Sequence, residues 1–337
     1  MGRLVVAAVT LAVVAAAAGL LLHRPEPVPA EDQGDITGVS YVVLPHADDE
    51  AQVWSLLEHT PQRYKVFILA TRSEQSGYCE PATYTGSGWQ PDLEPAATPA
   101  PQGRWSSECE QARLASFVGF LTQMSRSDPS IPGRFEAPRT VGPFPAEGTD
   151  LCRRDTLEDA GSAACTPQDL RDAGARVLLD TEGRGAVVQF NLGDGDLTAE
   201  EVAWAVRTVQ GHRAELGLNT TAVDHDVLAI FWNEGLPDCK SYPHPDHRAV
   251  HEAVLHVDFG ARYQAGATCA SDPRARWSRT LSPASVHAAW QLGPDQERLG
   301  AHVRNYGWLY NPYYLLDEEG QAELFHSHQS FWLSHQH

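Results

Sequence analysis

At 337 residues the chain is long enough to bury one large core or two modest ones. Its 44 acidic side chains outnumber 25 Lys and Arg, for a formal net charge of -19. That balance excludes nucleic acid as the partner and disfavours an anionic lipid surface, because both require a basic face; acidity by itself names no substrate.

The chain opens on Arg3 and an apolar run from Leu4 to Leu22, broken only by Thr10 and Gly19. Residues 1–22 read as a signal peptide or a membrane anchor: the run is long for a signal core and just long enough to span a bilayer. Val28-Pro29-Ala30 offers small residues suited to cleavage. Either reading sends the remainder outward, to the cell surface or beyond it, because the positive charge precedes the run and acidic residues follow it. Residues 23–37, rich in Pro and acid, read as a linker. Residues 38–337 read as one domain, since no clean linker divides them.

Val39 to Leu44 is β-branched and aromatic and predicts a strand; Asp49 to Glu58 predicts a helix with Val53, Leu56 and Leu57 on one face. Tyr64 to Ala70 is the next strand. About 80–103 is loop by its Pro, Gly and Thr content, and Cys109 to Leu121 is helical. About 125–183 is irregular and reads as a second insertion. Ala186 to Leu192 is a strand, and the helix from Thr198 to Gly211 opens on a capping box, Thr198 with Glu201. Val227 to Trp232 is a strand and Asp246 to His256 a helix. Strands alternating with helices predict an α/β fold built on a mostly parallel sheet. In such sheets ligands bind at the carboxyl ends of strands.

Two segments rich in metal-ligand side chains fall there: Pro45-His46-Ala47-Asp48-Asp49-Glu50 after the first strand, and Tyr242-Pro243-His244-Pro245-Asp246-His247 before the last helix. A catalytic zinc needs about three protein ligands and an open place for water. His46 and Asp49, three apart across a strand-to-helix turn, supply two, and His247 is the natural third. Asp48 is then placed to act as general base. A protonated His244 can stabilise an oxyanion or protonate a leaving amine, and Tyr242 can add a hydroxyl donor. Asp246 can keep His244 charged or orient a ring nitrogen. His251, four residues beyond His247, has the spacing of a ligand on the same helix face, and spacing does not exclude it.

All six cysteines lie in the exported part, and none forms a C-x-x-C pair, so a zinc–thiolate site is not expected. Disulfides are expected instead, paired in sequence order: Cys79 with Cys109, Cys152 with Cys165, Cys239 with Cys269. Near the C-terminus stand Tyr306, Trp308, Tyr310, Tyr313, Tyr314, Phe331 and Trp332, expected mainly as core, with sugar stacking as the alternative. His326, His328, His335 and His337 are expected in a polar, flexible tail rather than a second metal site.

The two ligand-rich segments, in this order, resemble the signatures of the PIG-L (LmbE-like) zinc-dependent N-deacetylases. The resemblance spans roughly Val39 to His256. It implies a Rossmann-like α/β fold that binds no dinucleotide, zinc on His46, Asp49 and His247, Asp48 as general base, and His244 with Tyr242 at the oxyanion. Three weaker matches imply substrate contacts. Glu74 lies in Thr71-Arg72-Ser73-Glu74-Gln75-Ser76-Gly77, which is similar to a family loop with Gly where Ser73 stands. Asp194 lies in Asp194-Gly195-Asp196-Leu197, and Arg104 precedes a helix. The implied activity is hydrolysis of the acetamide of an N-acetylglucosamine-type sugar or glycoconjugate by an exported zinc enzyme. An amidase or O-acyl esterase acting on a larger conjugate uses the same residues. A non-catalytic carbohydrate-binding protein is the third reading, and the intact Asp48 and His244 argue against it, since a binder needs neither.

Overall fold

The computed structural model describes residues 35–80, 103–144, 174–292, 298–300 and 325–337. All belong to the unit Gly34–His337. The N-terminal apolar run, all but the two ends of the loop expected at about 80–103, the expected Cys152–Cys165 pair and the five aromatics from Tyr306 to Tyr314 lie outside the described residues. No helix among the described residues is long and apolar enough to cross a membrane.

Nine strands form one sheet, ordered β3-β4-β5-β2-β1-β6-β7-β11-β8. Its centre is parallel: β5 (Gly185–Gln189), β2 (Arg63–Leu69), β1 (Gly38–Leu44), β6 (Val223–Ala229) and β7 (Tyr263–Thr268). Both flanks are antiparallel. β4 (Ala175–Leu179) and β3 (Arg139–Val141) extend one edge; β11 (His328–Gln336) and β8 (Ala275–Thr280) extend the other. The sheet is therefore mixed, where the alternation of strands and helices predicted mostly parallel pairing. That alternation reports only strands joined by crossover helices, so it misses the flanks. Trp290–Leu292 (β9) and Arg298–Gly300 (β10) pair separately.

β1 is buried along its whole length, as expected of a central strand covered on both faces. Helix α1 (Ser107–Met124) starts at Ser106, whose hydroxyl accepts from the Cys109 N–H. It packs Phe117 edge-on against Phe67 of β2 at 5.6 Å and Phe120 against Trp54 at 5.2 Å. α2 (Ala199–Gly211) carries the complete capping box, and α3 (Pro245–His256) packs beside it. A short α4 spans Pro283–Ala288. The helix predicted over Asp49–Glu58 is a 3-10 helix, Glu50–Leu56.

Two regions depart from their predicted character. The stretch 125–183 contributes β3 and β4 to the sheet, with Val177 and Leu178 buried. The C-terminal tail is β11, an inner strand between β7 and β8. Phe331 and Trp332 are fully buried in it, which is why a segment so rich in His is ordered. Cys79–Cys109 and Cys239–Cys269 are disulfides, as the sequential pairing predicted. Their Cα separations of 5.6 and 5.9 Å are ordinary for bridged cysteines. Such bonds persist in an oxidising compartment.

The capping box gives a direct check. Thr198→Ala removes the hydroxyl that accepts from the Glu201 N–H and is expected to lower stability by about 1 kcal/mol in urea titrations. Glu201→Gln, which can still reach back to the Thr198 N–H, is expected to cost less.

Candidate metal centre

β1 lies between β2 on one side and β6 on the other. The chain runs from β1 to β2 and returns only much later to β6, so the sheet order reverses at β1 and opens a crevice at the strand ends. Both ligand-rich segments enter it. The loop after β2 secures the first: the Thr71 hydroxyl donates to the Pro45 carbonyl (2.7 Å), and the Ser73 hydroxyl accepts from the Ala47 N–H (2.9 Å). The second is brought back by an isolated bridge in which the Tyr242 N–H donates to the Asn233 carbonyl (2.8 Å). It then turns into α3 with His244 as N-cap and Pro245 in the first turn, a position suited to proline.

His46, Asp49 and His247 meet in the crevice. Asp49 Oδ2 lies 3.3 Å from His46 Nδ1 and 3.3 Å from His247 Nε2. The other atom of each group is already engaged. His247 Nδ1 is 2.8 Å from the Phe231 carbonyl, which only accepts, so Nδ1 carries the hydrogen and Nε2 presents its lone pair. His46 Nε2 donates toward Asp246 Oδ2 (3.0 Å) and Asp194 Oδ1 (3.2 Å), which turns Nδ1 inward. Asp49 Oδ1 accepts from Gln52 Nε2 at 2.9 Å. Asp49 Oδ2 and His247 Nε2 are buried without a hydrogen-bond donor, so two acceptors face each other, an arrangement that only a positive charge between them relieves.

The electrostatics agree. Burial pulls the His46 pKa down, but Asp194, Asp246 and Asp49 outweigh it and hold it well above the usual imidazole value. Burial pushes Asp49 up, yet His247 and His46 together hold it far below the carboxylate range. These three residues could hold a metal ion. A second group, His46, His244 and Asp246, is also close enough. There, however, Asp246 already accepts from the Gly195 N–H (2.8 Å) and the Leu197 N–H (3.2 Å) as well as from His46.

The remaining predicted residues divide. Asp48 sits beside Asp49 with its carboxylate gripped on both oxygens by Arg113, at 2.7 and 2.8 Å. Tyr242 packs its ring on His247 (4.7 Å) and stacks near His244 (6.2 Å). Burial, with Asp49 nearby, raises its hydroxyl pKa, so it stays a donor. The expectation of a protonated His244 is not met. Burial, with His46 and His247 alongside, lowers its pKa to about 4, and its Nδ1 accepts from the Asp246 N–H at 3.3 Å. Asp246 orients His46 rather than charging His244. Asp194, expected at a substrate hydroxyl, also serves His46, and its Oδ2 accepts from the Gln75 N–H (2.7 Å). Glu74 is buried in the loop after β2. Arg104 is not brought to the centre; it pairs with Glu80 at 3.4 Å, both part-exposed. The arginine that enters is Arg113, which sequence reasoning passed over. Its signal was present: it shares a helical stripe with Cys109, Ala112, Ser116, Phe117 and Phe120, all buried, and a charge in such a stripe needs a buried partner. His251 is buried away from the ligand atoms, between Trp232 (5.4 Å) and Trp332 (4.9 Å).

No protein-family model matches the chain, and no curated protein matches it.

Two measurements test this geometry. Arg113→Met leaves the Asp48 carboxylate buried without its cation and is expected to cost about 3–5 kcal/mol in denaturant unfolding. Adding Asp48→Asn to that variant should return a large part. For His251, burial first, then Arg274, lowers the pKa to about 3. As pH falls below about 6.5, the unfolded chain takes up a proton that the folded chain refuses until about 3. This residue's contribution to stability therefore declines with acidification across that window. Midpoints measured from pH 7 to 4 should fall less steeply for His251→Phe than for the unmutated chain.

Proposed function

We propose that the protein is an exported, zinc-dependent N-deacetylase of the PIG-L type with a Rossmann-like sheet core. It hydrolyses the acetamide of an N-acetylglucosamine-type sugar or glycoconjugate. The observation that carries this reading is the pair of 3.3 Å separations from Asp49 Oδ2 to His46 Nδ1 and His247 Nε2. Ligands about 2.0–2.1 Å from a tetrahedral zinc stand about 3.3 Å apart, whereas an octahedral magnesium at similar bond lengths would draw them to about 2.9 Å. Two imidazoles and one carboxylate also suit zinc better than calcium or magnesium, and three protein ligands leave the open position of a catalytic site.

A zinc ion held there supplies Lewis acidity, polarising an acyl carbonyl and making water acidic enough to attack near neutral pH. The chain's own residues do the rest. Arg113 holds the Asp48 carboxylate by both oxygens, which orients it to accept the proton of the attacking water. It then returns that proton to the departing amine. The Tyr242 hydroxyl donates to the charge that develops on the carbonyl oxygen. His244 does the same as a neutral imidazole: with Nδ1 accepting at the helix N-terminus, Nε2 carries the hydrogen. A neutral donor beside a Lewis acid avoids the repulsion a second cation would meet. Asp194 and Asp246 act on the metal ligand His46, not on sugar hydroxyls. Disulfides that suit an oxidising compartment support export, with the apolar N-terminal run read as the segment that directs it.

Metal analysis and acetate release from N-acetylglucosamine oligomers test this together. Asp48→Asn should retain zinc and lose activity by about 10²-fold or more; His247→Ala should lose the metal. A fully active Asp48→Asn protein rejects the mechanism, and release of other acyl groups in preference to acetate rejects the substrate.

A further inference from the structure

We infer that Gln52, a residue outside both ligand-rich segments, is the positioning residue that joins the two halves of the metal centre and sets its affinity. The inference rests on the zinc reading above. In a 3-10 helix, side chains three apart eclipse, so the Glu50–Leu56 helix stacks the Gln52 amide over Asp49. Gln52 is 1 % exposed and uses both ends of its amide. Nε2 donates to Asp49 Oδ1 at 2.9 Å, and Oε1 accepts from the Phe231 N–H at 2.9 Å. The partners fix the orientation of the amide, since a carboxylate only accepts and a backbone N–H only donates. The carbonyl of the same Phe231 accepts from His247 Nδ1 at 2.8 Å.

A continuous chain of hydrogen bonds thus runs Asp49–Gln52–Phe231–His247. It links two ligands that are far apart in sequence through the backbone of a single residue. By occupying Oδ1, Gln52 leaves Asp49 only Oδ2 for the ion. By holding the Phe231 backbone, it fixes the carbonyl that selects the His247 tautomer. Both ends of its amide are spent on Asp49 and the Phe231 backbone, so it works through Asp49 and His247.

The test is metal binding rather than turnover. Gln52→Met keeps the length and removes both polar ends. Zinc affinity, measured by chelator competition, is expected to fall ten- to a hundredfold, the range typical when a partner of a metal ligand is lost. In the cobalt-substituted protein, release of Asp49 Oδ1 allows it to bind through both oxygens. The visible bands should then weaken, as they do when coordination number rises. A merely structural role predicts a lower unfolding midpoint in the presence of chelator, with affinity and spectrum unmoved; that result, or affinity within about twofold of the unmutated chain, overturns the inference. A second measurement needs no variant: the Gln52 side-chain amide protons should exchange slowly and shift on addition of zinc, and an amide that exchanges freely and does not shift refutes it. Failure of the unmutated chain to bind zinc sinks the deacetylase reading along with this one. Tight zinc binding without acetate release sinks only the former.

Discussion

Three side-chain atoms able to bind a cation, aimed at one buried point, are the constraint on which the rest of this structure depends. Asp49 Oδ2, His46 Nδ1 and His247 Nε2 are each presented inward because the opposite atom of the same side chain is tied down. Such an arrangement is costly in a metal-free protein. It buries Asp49 Oδ2 and His247 Nε2 away from water, and only positive charge, an ion or a proton on His46, compensates them. The surrounding elements hold it in place all the same: two carboxylates on the far side of His46, a backbone carbonyl behind His247, and an amide beside Asp49. Each of these fixes the orientation of the side chain it touches, the kind of support that metal-binding histidines usually have.

The scaffold delivers these groups economically. Parallel strands carry their following loops to a common edge, and the reversal of strand order at β1 separates the loops enough to admit a ligand. Each disulfide among the described residues closes on one of the loops involved. Cys79–Cys109 ties the loop after β2 to the start of α1, the helix that supplies Arg113. Cys239–Cys269 ties the approach to the second segment to the end of β7. Both cross-links span 30 residues, and closing loops of that size limits the freedom of the unfolded chain.

What the sequence disclosed, and what it hid, divides along the range of the interactions. His46 and Asp49 are near neighbours, and His247 follows a proline turn, so a His/Asp group able to hold a metal ion could be expected from spacing. The central strands and helices were legible for the same reason: periodicity and caps are local. Arg113 and Gln52 were not, because their roles are set by partners 65 and 179 positions away. The family resemblance points to Arg104 for its place shortly before a helix, whereas burial brings Arg113 to Asp48. The resemblance assigns Asp194 to a sugar hydroxyl, and only the folded chain turns it onto His46. The antiparallel flanks escaped because β3 is only three residues long and mostly exposed, and because β11 hides its apolar residues among polar neighbours.

Ser73 carries a consequence for how such a loop evolves. Its backbone lies at φ 59, a left-handed conformation in which a glycine would rest without penalty, yet its hydroxyl accepts from Ala47 in the other loop. The residue exchanges local comfort for a tether across the crevice, each worth on the order of 1 kcal/mol. Near-neutral trades of that kind let a lineage drift between the two residues with little change in stability, while altering how firmly the first ligand-bearing turn is anchored to its neighbour.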